Sequence, residues 1–450
     1  MDNASFFSDL LNTIAERGRA LIGAKPPRGA GGRVGELVAR CRDLLSGRGA
    51  ATGAAIAIEI LDDYRALDAP ARLAFFSALA AEFGPDRAAM TRALEHWGRE
   101  TSDAAAADLH YAAEPRRLEL CRRLNRAPGG TGALVAMRAD LLPLLREAPA
   151  LRVVDRDLLH LFASWFNRGF LVLRHIDWRT PANILEKLIR YEAVHQIHDW
   201  DDLRRRIDPP DRRCYAFFHP ALVDEPLIFV EVALTETMPA AVAPLLAQTR
   251  LPVAPDRARV AVFYSISNCQ TGLAGVTFGN FLIKQVVEEL RRELPRIETF
   301  VTLSPIPGPR AWEESEEPGL DVDARATLAL AGDADWPDDA QAQAKLRKLL
   351  EPLIAQYFLQ ARRKDGRVID PVARFHLGNG ARLERIDWLG DRSHKGLRES
   401  FGAMVNYLYD LDEIERNHEA FANQGEVAAS SAVKKMLKDR KRRAPAPTPA

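Results

Sequence analysis

The stretch that decides the fold runs from Tyr264 to Asn280 and reads Tyr264-Ser265-Ile266-Ser267-Asn268-Cys269-Gln270-Thr271-Gly272-Leu273-Ala274-Gly275-Val276-Thr277-Phe278-Gly279-Asn280. An apolar run at 259–264 leads into it and predicts a strand, and a run at 281–290 with helical spacing leaves it. A glycine-rich turn between a strand and a helix favours an anion, because the free N–H groups of the first helical turn point at the ligand and the helix dipole attracts negative charge. The pattern alone leaves two interpretations open, a phosphate site and glycines kept for packing. It matches neither Gly-x-Gly-x-x-Gly nor a P-loop.

Charge and composition exclude several classes of protein. Lys+Arg and Asp+Glu are equal at 62 each, so no net charge suggests a nucleic-acid or membrane-surface partner. No apolar run reaches the ~18 residues that span a bilayer, and acidic residues interrupt the first apolar ones, unlike a secretory signal. The four cysteines are scattered, which argues against a zinc site or disulfides and fits a reducing compartment. We therefore expect a cytoplasmic protein without a metal.

The pattern of apolar residues predicts two domains and a tail. Residues 1–168 show three- and four-residue spacing, which predicts an all-α helical bundle. After Gly169, strand-like runs alternate with helical ones, which predicts an α+β domain with a central mixed sheet over 169–425. A helix is expected near 396–410. Residues 426–450 are polar and basic, and we expect them to form a disordered tail.

A serine follows one of the predicted strands. In Leu303-Ser304-Pro305-Ile306-Pro307-Gly308, two prolines fix the backbone just beyond Ser304. A hydroxyl held at a strand end with little freedom suits a functional site. A rigid turn is the simpler explanation and is favoured about two to one on the pattern alone. No Gly-x-Ser-x-Gly elbow is present, which argues against a hydrolase nucleophile.

A histidine lies beside a second glycine motif. In Phe375-His376-Leu377-Gly378-Asn379-Gly380, His376 comes at the end of an apolar segment and the predicted start of a tight turn. Histidine exchanges a proton near neutral pH, although a lone histidine is more often structural. His195 and His198 lack a third ligand at zinc-site spacing, so we interpret them as structural.

Taken together, these motifs resemble the malonyl-CoA decarboxylase family. Their order and spacing match over about 160–412, and the combination of Ser-Pro-Ile-Pro-Gly with His-Leu-x-Asn-Gly is specific. The matching blocks are Phe217–Pro220, Glu225–Leu234, Phe263–Gly279, Thr302–Gly308, Phe375–Ala381, Ile386–Trp388 and Met404–Tyr407. Asn268, Cys269 and Thr277 depart from the family's glycine turn.

The resemblance implies a fold, a reaction and a set of residues. The expected fold is a helical N-terminal domain followed by a catalytic domain of the GNAT acyltransferase type. The expected reaction converts malonyl-CoA to acetyl-CoA and CO2 without a cofactor, in a homo-oligomer that is a dimer or tetramer. The family's catalytic serine and histidine match Ser304 and His376, which would also contact the substrate. The coenzyme A turn would be formed by Gln270, Gly272, Ala274, Gly275, Val276, Thr277, Phe278, Gly279 and Asn280.

The implied chemistry follows from the loss of CO2, which leaves a thioester enolate. Hydrogen-bond donors aimed at its oxygen lower the barrier, and the carbanion carbon must then receive a proton. We expect Ser304 to hold the malonyl carboxylate or carbonyl and His376 to supply the proton, although the sequence alone leaves open which of the two plays which part. Two alternatives stay open: an acyl-CoA acyltransferase on the same fold, and a non-catalytic acyl-CoA-sensing protein.

Overall fold

The computed structural model describes residues 30–47, 49–276, 282–315 and 319–443. The sequence also predicts a helix over 5–23, which lies outside them. The chain forms two compact units. The first comprises Met1–Val172, Phe218–Leu227 and Cys269–Phe278, and the second comprises Leu173–Phe217, Ile228–Asn268 and Gly279–Ala450. In the described part of the chain, no helix is long and apolar enough to cross a membrane.

The first unit is built from helices that bury one apolar face each. Asp68, Asp86 and Ser102 cap three of them, because each side chain accepts a hydrogen bond from a backbone N–H of the first turn. Phe75 and Phe76 are fully buried in its core. The predicted helical front is confirmed. Its helices are α1 (Ala30–Leu45), α2 (Ala50–Arg65), α3 (Ala69–Glu82), α4 (Arg87–Arg99), α5 (Asp103–Ala113), α6 (Arg116–Leu124), α7 (Gly130–Leu144) and α8 (Arg152–Trp165).

The second unit is organised on a mixed sheet of eight strands, as predicted. The strands follow the order β1-β2-β3-β4-β5-β8-β6, and β7 also pairs with β8. Their bounds are β1 (Val172–Ile176), β2 (Arg212–Phe218), β3 (Pro226–Thr235), β4 (Val260–Asn268), β5 (Thr299–Thr302), β6 (Ser304–Pro305), β7 (Arg382–Asp387) and β8 (Met404–Leu408). β3 and β4 read as nearly continuous apolar runs because both faces of these central strands are buried.

Helices cover this sheet and connect its strands. They are α9 (Ala182–Tyr191), α10 (Trp200–Ile207), α11 (Ala243–Leu246), α12 (Leu282–Glu293), α13 (Pro309–Glu313), α14 (Val322–Leu328), α15 (Ala340–Leu359), α16 (Pro371–Gly378), α17 (His394–Ser400), α18 (Ile414–Gln424) and α19 (Ser431–Arg443). Single turns of 3₁₀ helix lie at Pro149–Leu151, Arg168–Phe170, Thr271–Leu273 and Ala329–Gly332.

The sheet opens beside β4. β4 pairs in parallel with β5 from Val260 opposite Thr299 to Phe263 opposite Thr302. Beyond that point β4 continues to Asn268 beside β3, whereas the chain after Thr302 pairs with β8 through Ser304. The second half of β4 therefore separates from its parallel neighbour just where Ser304 begins β6.

Two predictions for the C-terminal part are wrong. The helix expected near 396–410 ends at Ser400, and Met404–Leu408 forms strand β8 because its apolar side chains are needed between β5, β6 and β7. The tail expected to be disordered from 426 contains α19, which begins at Ser431 and buries Val433 completely. Burial of such an apolar stripe offsets the repulsion among the basic residues. Residues 444–450 lie outside the described part.

The glycine turn after β4 is fixed within the first unit. Arg138 of α7 is buried, and its guanidinium donates to the carbonyl oxygens of Gly272 at 2.8 Å and Ala274 at 2.7 Å. Asp155 accepts from the Nε of the same guanidinium at 2.8 Å. A Cβ on Gly272 would come within 1.9 Å of the backbone oxygen of Val135. Glycine is therefore needed at 272 for the close approach of the turn to α7.

Gly272→Ala should destabilise the protein by about 2 kcal/mol or more, because a rigid backbone oxygen occupies the space of the added methyl group. Urea unfolding followed by circular dichroism measures the change. Gly98→Ala is the control, since a Cβ there meets no atom within 4 Å and lies on a helix, where alanine is favoured. Equal stability of the two variants would contradict the close packing of the turn.

Candidate active site

The glycine turn uses several of its own amides. Leu273, Ala274 and Val276 each donate a backbone N–H to a carbonyl three residues earlier. The Gln270 side chain donates to the backbone oxygen of Pro226 at 3.1 Å. Gly275 has a φ of +81°, which a residue with a Cβ rarely adopts. The described part of the turn is thus held by internal bonds and by Arg138. Thr277, Phe278, Gly279 and Asn280 lie outside the described residues.

Ser304 and His376 meet in the second unit. The distance from the Ser304 Oγ to the His376 Nε2 is 3.2 Å, and both side chains are buried. Ser304 also lies 2.9 Å from the Oγ1 of Thr302, to which it donates. The two motifs that the sequence singled out, 72 residues apart, therefore form one hydrogen-bonded pair.

A buried carboxylate fixes the helix that carries His376. Asp370 caps α16 by accepting from the N–H of Ala373 at 2.7 Å. The Tyr357 hydroxyl of α15 donates to the other oxygen of Asp370 at 3.0 Å. Pro371 follows in the first turn, where its fixed φ suits a helix and its missing N–H costs nothing. These contacts define where α16 begins and hence where the His376 ring lies.

Strand β8 and the residue after it complete the surroundings of His376. The His376 ring stacks on Tyr407 with ring centroids 4.5 Å apart, and its Nδ1 lies 2.8 Å from the hydroxyl of Tyr409. The Tyr407 N–H donates to Thr302 Oγ1 at 3.1 Å, and the Asn406 amide donates to the Thr302 carbonyl at 2.7 Å. Thr302 thus links β8 to the Ser304 hydroxyl.

Burial determines the charge of this cluster. It lowers the pKa of His376 to about 3, with no charged neighbour contributing, so the imidazole is neutral near pH 7. Burial also raises the pKa of Tyr409 well above its usual value, so the phenol keeps its proton. The protonated phenol and the neutral imidazole can each donate to the other, and we assign the phenol as the donor and His376 Nδ1 as the acceptor.

This assignment places the histidine proton on Nε2, facing Ser304. It is assigned from the hydrogen-bond network, which is how a tautomer is determined. In this assignment the Tyr409 hydroxyl donates to His376 and the His376 Nε2–H donates to Ser304, while the Ser304 hydroxyl donates to Thr302. In a hydrolase the histidine accepts the serine proton instead. The direction of these bonds suits donation of a proton to a substrate and opposes formation of a serine nucleophile.

Sequence reasoning found the pair and missed its supports. His376 lies in the last turn of α16, not at the start of a tight turn as expected, because Asp370 and Pro371 begin a helix there. Tyr409 went unrecognised because 396–410 was interpreted as a helix. As a strand, the same residues alternate, which places Tyr407 and Tyr409 on the same side. This alternation of side chains, with a period of two, was the sequence signal that could have identified Tyr409.

An open cavity is lined by residues that follow Ser304 and precede His376 in the chain. Its volume is about 390 Å³, and its lining comprises Pro307, Gly308, Ala311, Trp312, Ser315, Tyr357, Ile369 and Pro371. Pro307 and Gly308 follow Ser304 in the chain, and Pro371 begins the helix of His376. Among the described residues, no group of three or more His, Cys, Asp or Glu side chains is arranged to hold a metal.

His376 should stay neutral from pH 8 down to about pH 4. Selective ¹⁵N-histidine NMR of the free enzyme tests this, with the His376 signal identified by its loss in His376→Asn. The pKa of His376 is near 6.5 in the unfolded chain and about 3 in the folded protein. Between these two pH values the unfolded chain therefore binds more protons than the folded protein. His376 therefore reduces the free energy of unfolding as the pH falls below 6.5. An imidazolium signal at pH 6 would contradict the proton assignment.

Comparison with known protein families covers most of the chain. A model described as "Malonyl-CoA decarboxylase C-terminal domain" matches residues 169–446, and one described as "Malonyl-CoA decarboxylase N-terminal domain" matches residues 83–166. The mitochondrial malonyl-CoA decarboxylase of Anser anser anser is 34% identical over 415 residues, covering 83% of this chain and 82% of that protein. The mouse enzyme is 34% identical over 403 residues, covering 81% and 82%.

Solved structures show the same likeness. The malonyl-CoA decarboxylase of Rhodopseudomonas palustris is 59% identical, with a TM-score of 0.87 over 89% of this chain and 99% of that one. That of Agrobacterium vitis is 54% identical, with a TM-score of 0.85 over the same shares. The family models, the relatives and the fold agree, and the chain belongs to the malonyl-CoA decarboxylase family.

Proposed function

We propose that this chain is a carboxy-lyase that converts malonyl-CoA to acetyl-CoA and CO2, with Ser304 and His376 as its catalytic residues. The observation that carries the proposal is the buried chain of hydrogen bonds from Tyr409 through His376 to Ser304. Membership of the family supports the reaction, and the direction of the bonds supports the proton-donating role of the pair.

The reaction breaks one carbon–carbon bond. The malonyl carboxylate leaves as CO2, and the electron pair of the broken bond passes to the thioester, which becomes an enolate. The negative charge collects on the thioester oxygen, so a hydroxyl donor at that oxygen stabilises the transition state more than the ground state. Ser304 supplies this donor, held in place by its position at the start of β6.

The enolate carbon then takes a proton to give the acetyl group. His376 carries that proton on Nε2, and Tyr409 holds the ring in the required orientation through Nδ1. A neutral, desolvated donor suits this step. A charged imidazolium would form an ion pair with the malonyl carboxylate and protonate it before CO2 leaves. Donation of the Nε2 proton would leave the ring negatively charged, and the Tyr409 hydroxyl neutralises it by giving its own proton to Nδ1. Solvent returns one proton to the Tyr409–His376 pair after product release.

We place the coenzyme A part of the substrate at the glycine turn and the acyl arm at the opening of the sheet. The separation of β4 from its parallel partner beyond Phe263 supports the second placement, because an extended arm can enter there beside Ser304. We propose a fold of the GNAT type on the same observation, the separation of β4 from its parallel neighbour β5. The proposed coenzyme A residues are Gln270, Gly272, Ala274, Gly275, Val276, Thr277, Phe278, Gly279 and Asn280.

Family membership also supports three broader proposals. We propose that 1–168 supports oligomerisation and that 169–425 carries catalysis. The enzyme would be a homo-oligomer, a dimer or a tetramer. It would act in the cytoplasm, for which the bacterial source of the similar structures is the support.

Ser304→Ala and His376→Asn should each lower kcat/KM for malonyl-CoA by about 100-fold or more, the usual contribution of a positioned acid–base group. Release of ¹⁴CO2 from carboxyl-labelled substrate measures the rate. Ser431→Ala and His394→Asn are the matched controls, because both side chains are exposed in the same unit. Full activity in Ser304→Ala and His376→Asn would refute the catalytic assignment.

The product identifies the class of protein. Acetyl-CoA and CO2 in equal amounts support the decarboxylase. An acylated acceptor in place of CO2 would identify an acyltransferase, and binding without turnover would identify an acyl-CoA sensor. Mass spectrometry of the reaction mixture distinguishes these outcomes.

Tyr409→Phe should lower kcat by about 10-fold and leave KM nearly unchanged, because it removes only the hydroxyl that orients His376. Steady-state kinetics provides both constants. Tyr111→Phe, at an exposed tyrosine of the first unit, is the control. A rise in KM at constant kcat would place Tyr409 in substrate binding instead.

A further inference from the structure

An arginine-lined cavity lies in the first unit. Its volume is about 620 Å³, which falls in the range of small-molecule sites. Leu145 and Val153 give it an apolar part. Its other lining residues are Arg146, Arg152, Asp155 and Arg156. The cavity therefore combines an apolar surface with three guanidinium groups, a combination that suits a phosphorylated nucleoside.

The cavity carries positive charge that the described carboxylates do not neutralise. Arg146, Arg152 and Arg156 are exposed, and none of them pairs with a carboxylate of the described residues. The one acid of the lining, Asp155, is already neutralised by the buried Arg138. Arg152 is also the first residue of α8, whose positive end carries no side-chain cap. An anion in the cavity would meet guanidinium donors, whose planar fork suits the oxygens of a phosphate.

The cavity and the glycine turn share helix α8. A Cβ on Gly275 would lie 3.8 Å from Leu159 Cδ1, so the turn crosses α8 at that residue. Arg156 and Arg152 lie one and two turns before Leu159, on the same side of the helix. The distance from Leu159 to Arg152 along the axis is about 10 Å. The Arg138–Asp155 pair joins the turn to the cavity wall directly.

We propose that this arginine cavity is a phosphomonoester subsite that takes the 3′-phosphate of the acyl-CoA substrate. The inference rests on the proposed function, which places the coenzyme A diphosphate at the glycine turn. The diphosphate and the 3′-phosphate are attached to the same ribose, so they must bind near each other. Helix α8 contacts the glycine turn at Leu159 and presents Arg156 and Arg152 one and two turns earlier.

Kinetics with two substrates tests the subsite. The variant Arg152→Gln/Arg156→Gln should raise KM for malonyl-CoA by about 10-fold or more, the scale of a lost charged hydrogen bond. The kcat of the variant should stay within about 2-fold of that of the unaltered enzyme. For malonyl-3′-dephospho-CoA, which lacks the 3′-phosphate, the variant and the unaltered enzyme should have the same KM. Arg152→Lys/Arg156→Lys, which keeps the charge, should fall between the two. An equal KM increase for both substrates, or no increase, would overturn the proposal.

Arg92→Gln is the matched control, because it removes an exposed arginine from another helix of the same unit. Its KM should match the unaltered enzyme for both substrates. Thermal unfolding of every variant checks that the exposed changes leave the fold intact. Loss of affinity in Arg92→Gln as well would mean that only general charge is being measured, which contradicts a defined subsite.

Calorimetry with adenosine 3′,5′-bisphosphate separates this proposal from the proposed function. The nucleotide should bind the unaltered protein at least about 10-fold more tightly than adenosine 5′-monophosphate, and the double glutamine variant should lose that preference. This holds even if malonyl-CoA is not decarboxylated, a result that would refute the proposed function alone. Inorganic phosphate binding as tightly as the bisphosphate would overturn the subsite.

Discussion

The burial of an uncharged imidazole is the constraint on which the catalytic cluster depends. Among the described residues no carboxylate balances a positive charge on His376, so desolvation sets its protonation state. A buried ring nitrogen without a partner would cost free energy, and both nitrogens of His376 have hydroxyl partners. The neutral state and the two hydrogen bonds are the basis on which we assign the proton to Nε2.

Much of the surrounding structure keeps that ring in place. Asp370 and Tyr357 fix the start of α16, Tyr407 packs against the imidazole, and Thr302 connects Ser304 to β8. Fixed donors and acceptors need no reorganisation when charge develops on the substrate, which is the main source of electrostatic catalysis. The glycine turn is fixed in a comparable way, by Arg138 and by the close approach of Gly272 to α7.

The sequence predicted the elements with strong local signals. The helical front, the buried strands and the Ser304 and His376 motifs all have periodic or proline and glycine patterns that act over a few residues. The sequence could not predict that Ser304 and His376 lie 3.2 Å apart, because that distance results from pairing of strands far apart in the chain. The resemblance supplied that link. The residue pattern failed at Met404–Leu408, where a short apolar run fits a helix or a strand and only the pairing in the sheet decides.

Whether Ser304 and His376 act as one unit is the central claim, and a double-variant cycle tests it most directly. If the hydrogen bond from His376 Nε2 is what orients the Ser304 hydroxyl toward the thioester oxygen, Ser304→Ala/His376→Asn should retain a kcat/KM within about 3-fold of the less active single variant, as for residues that act together. If the two losses multiply, each residue acts independently, and the proton-donating chain from Tyr409 through His376 to Ser304 is contradicted.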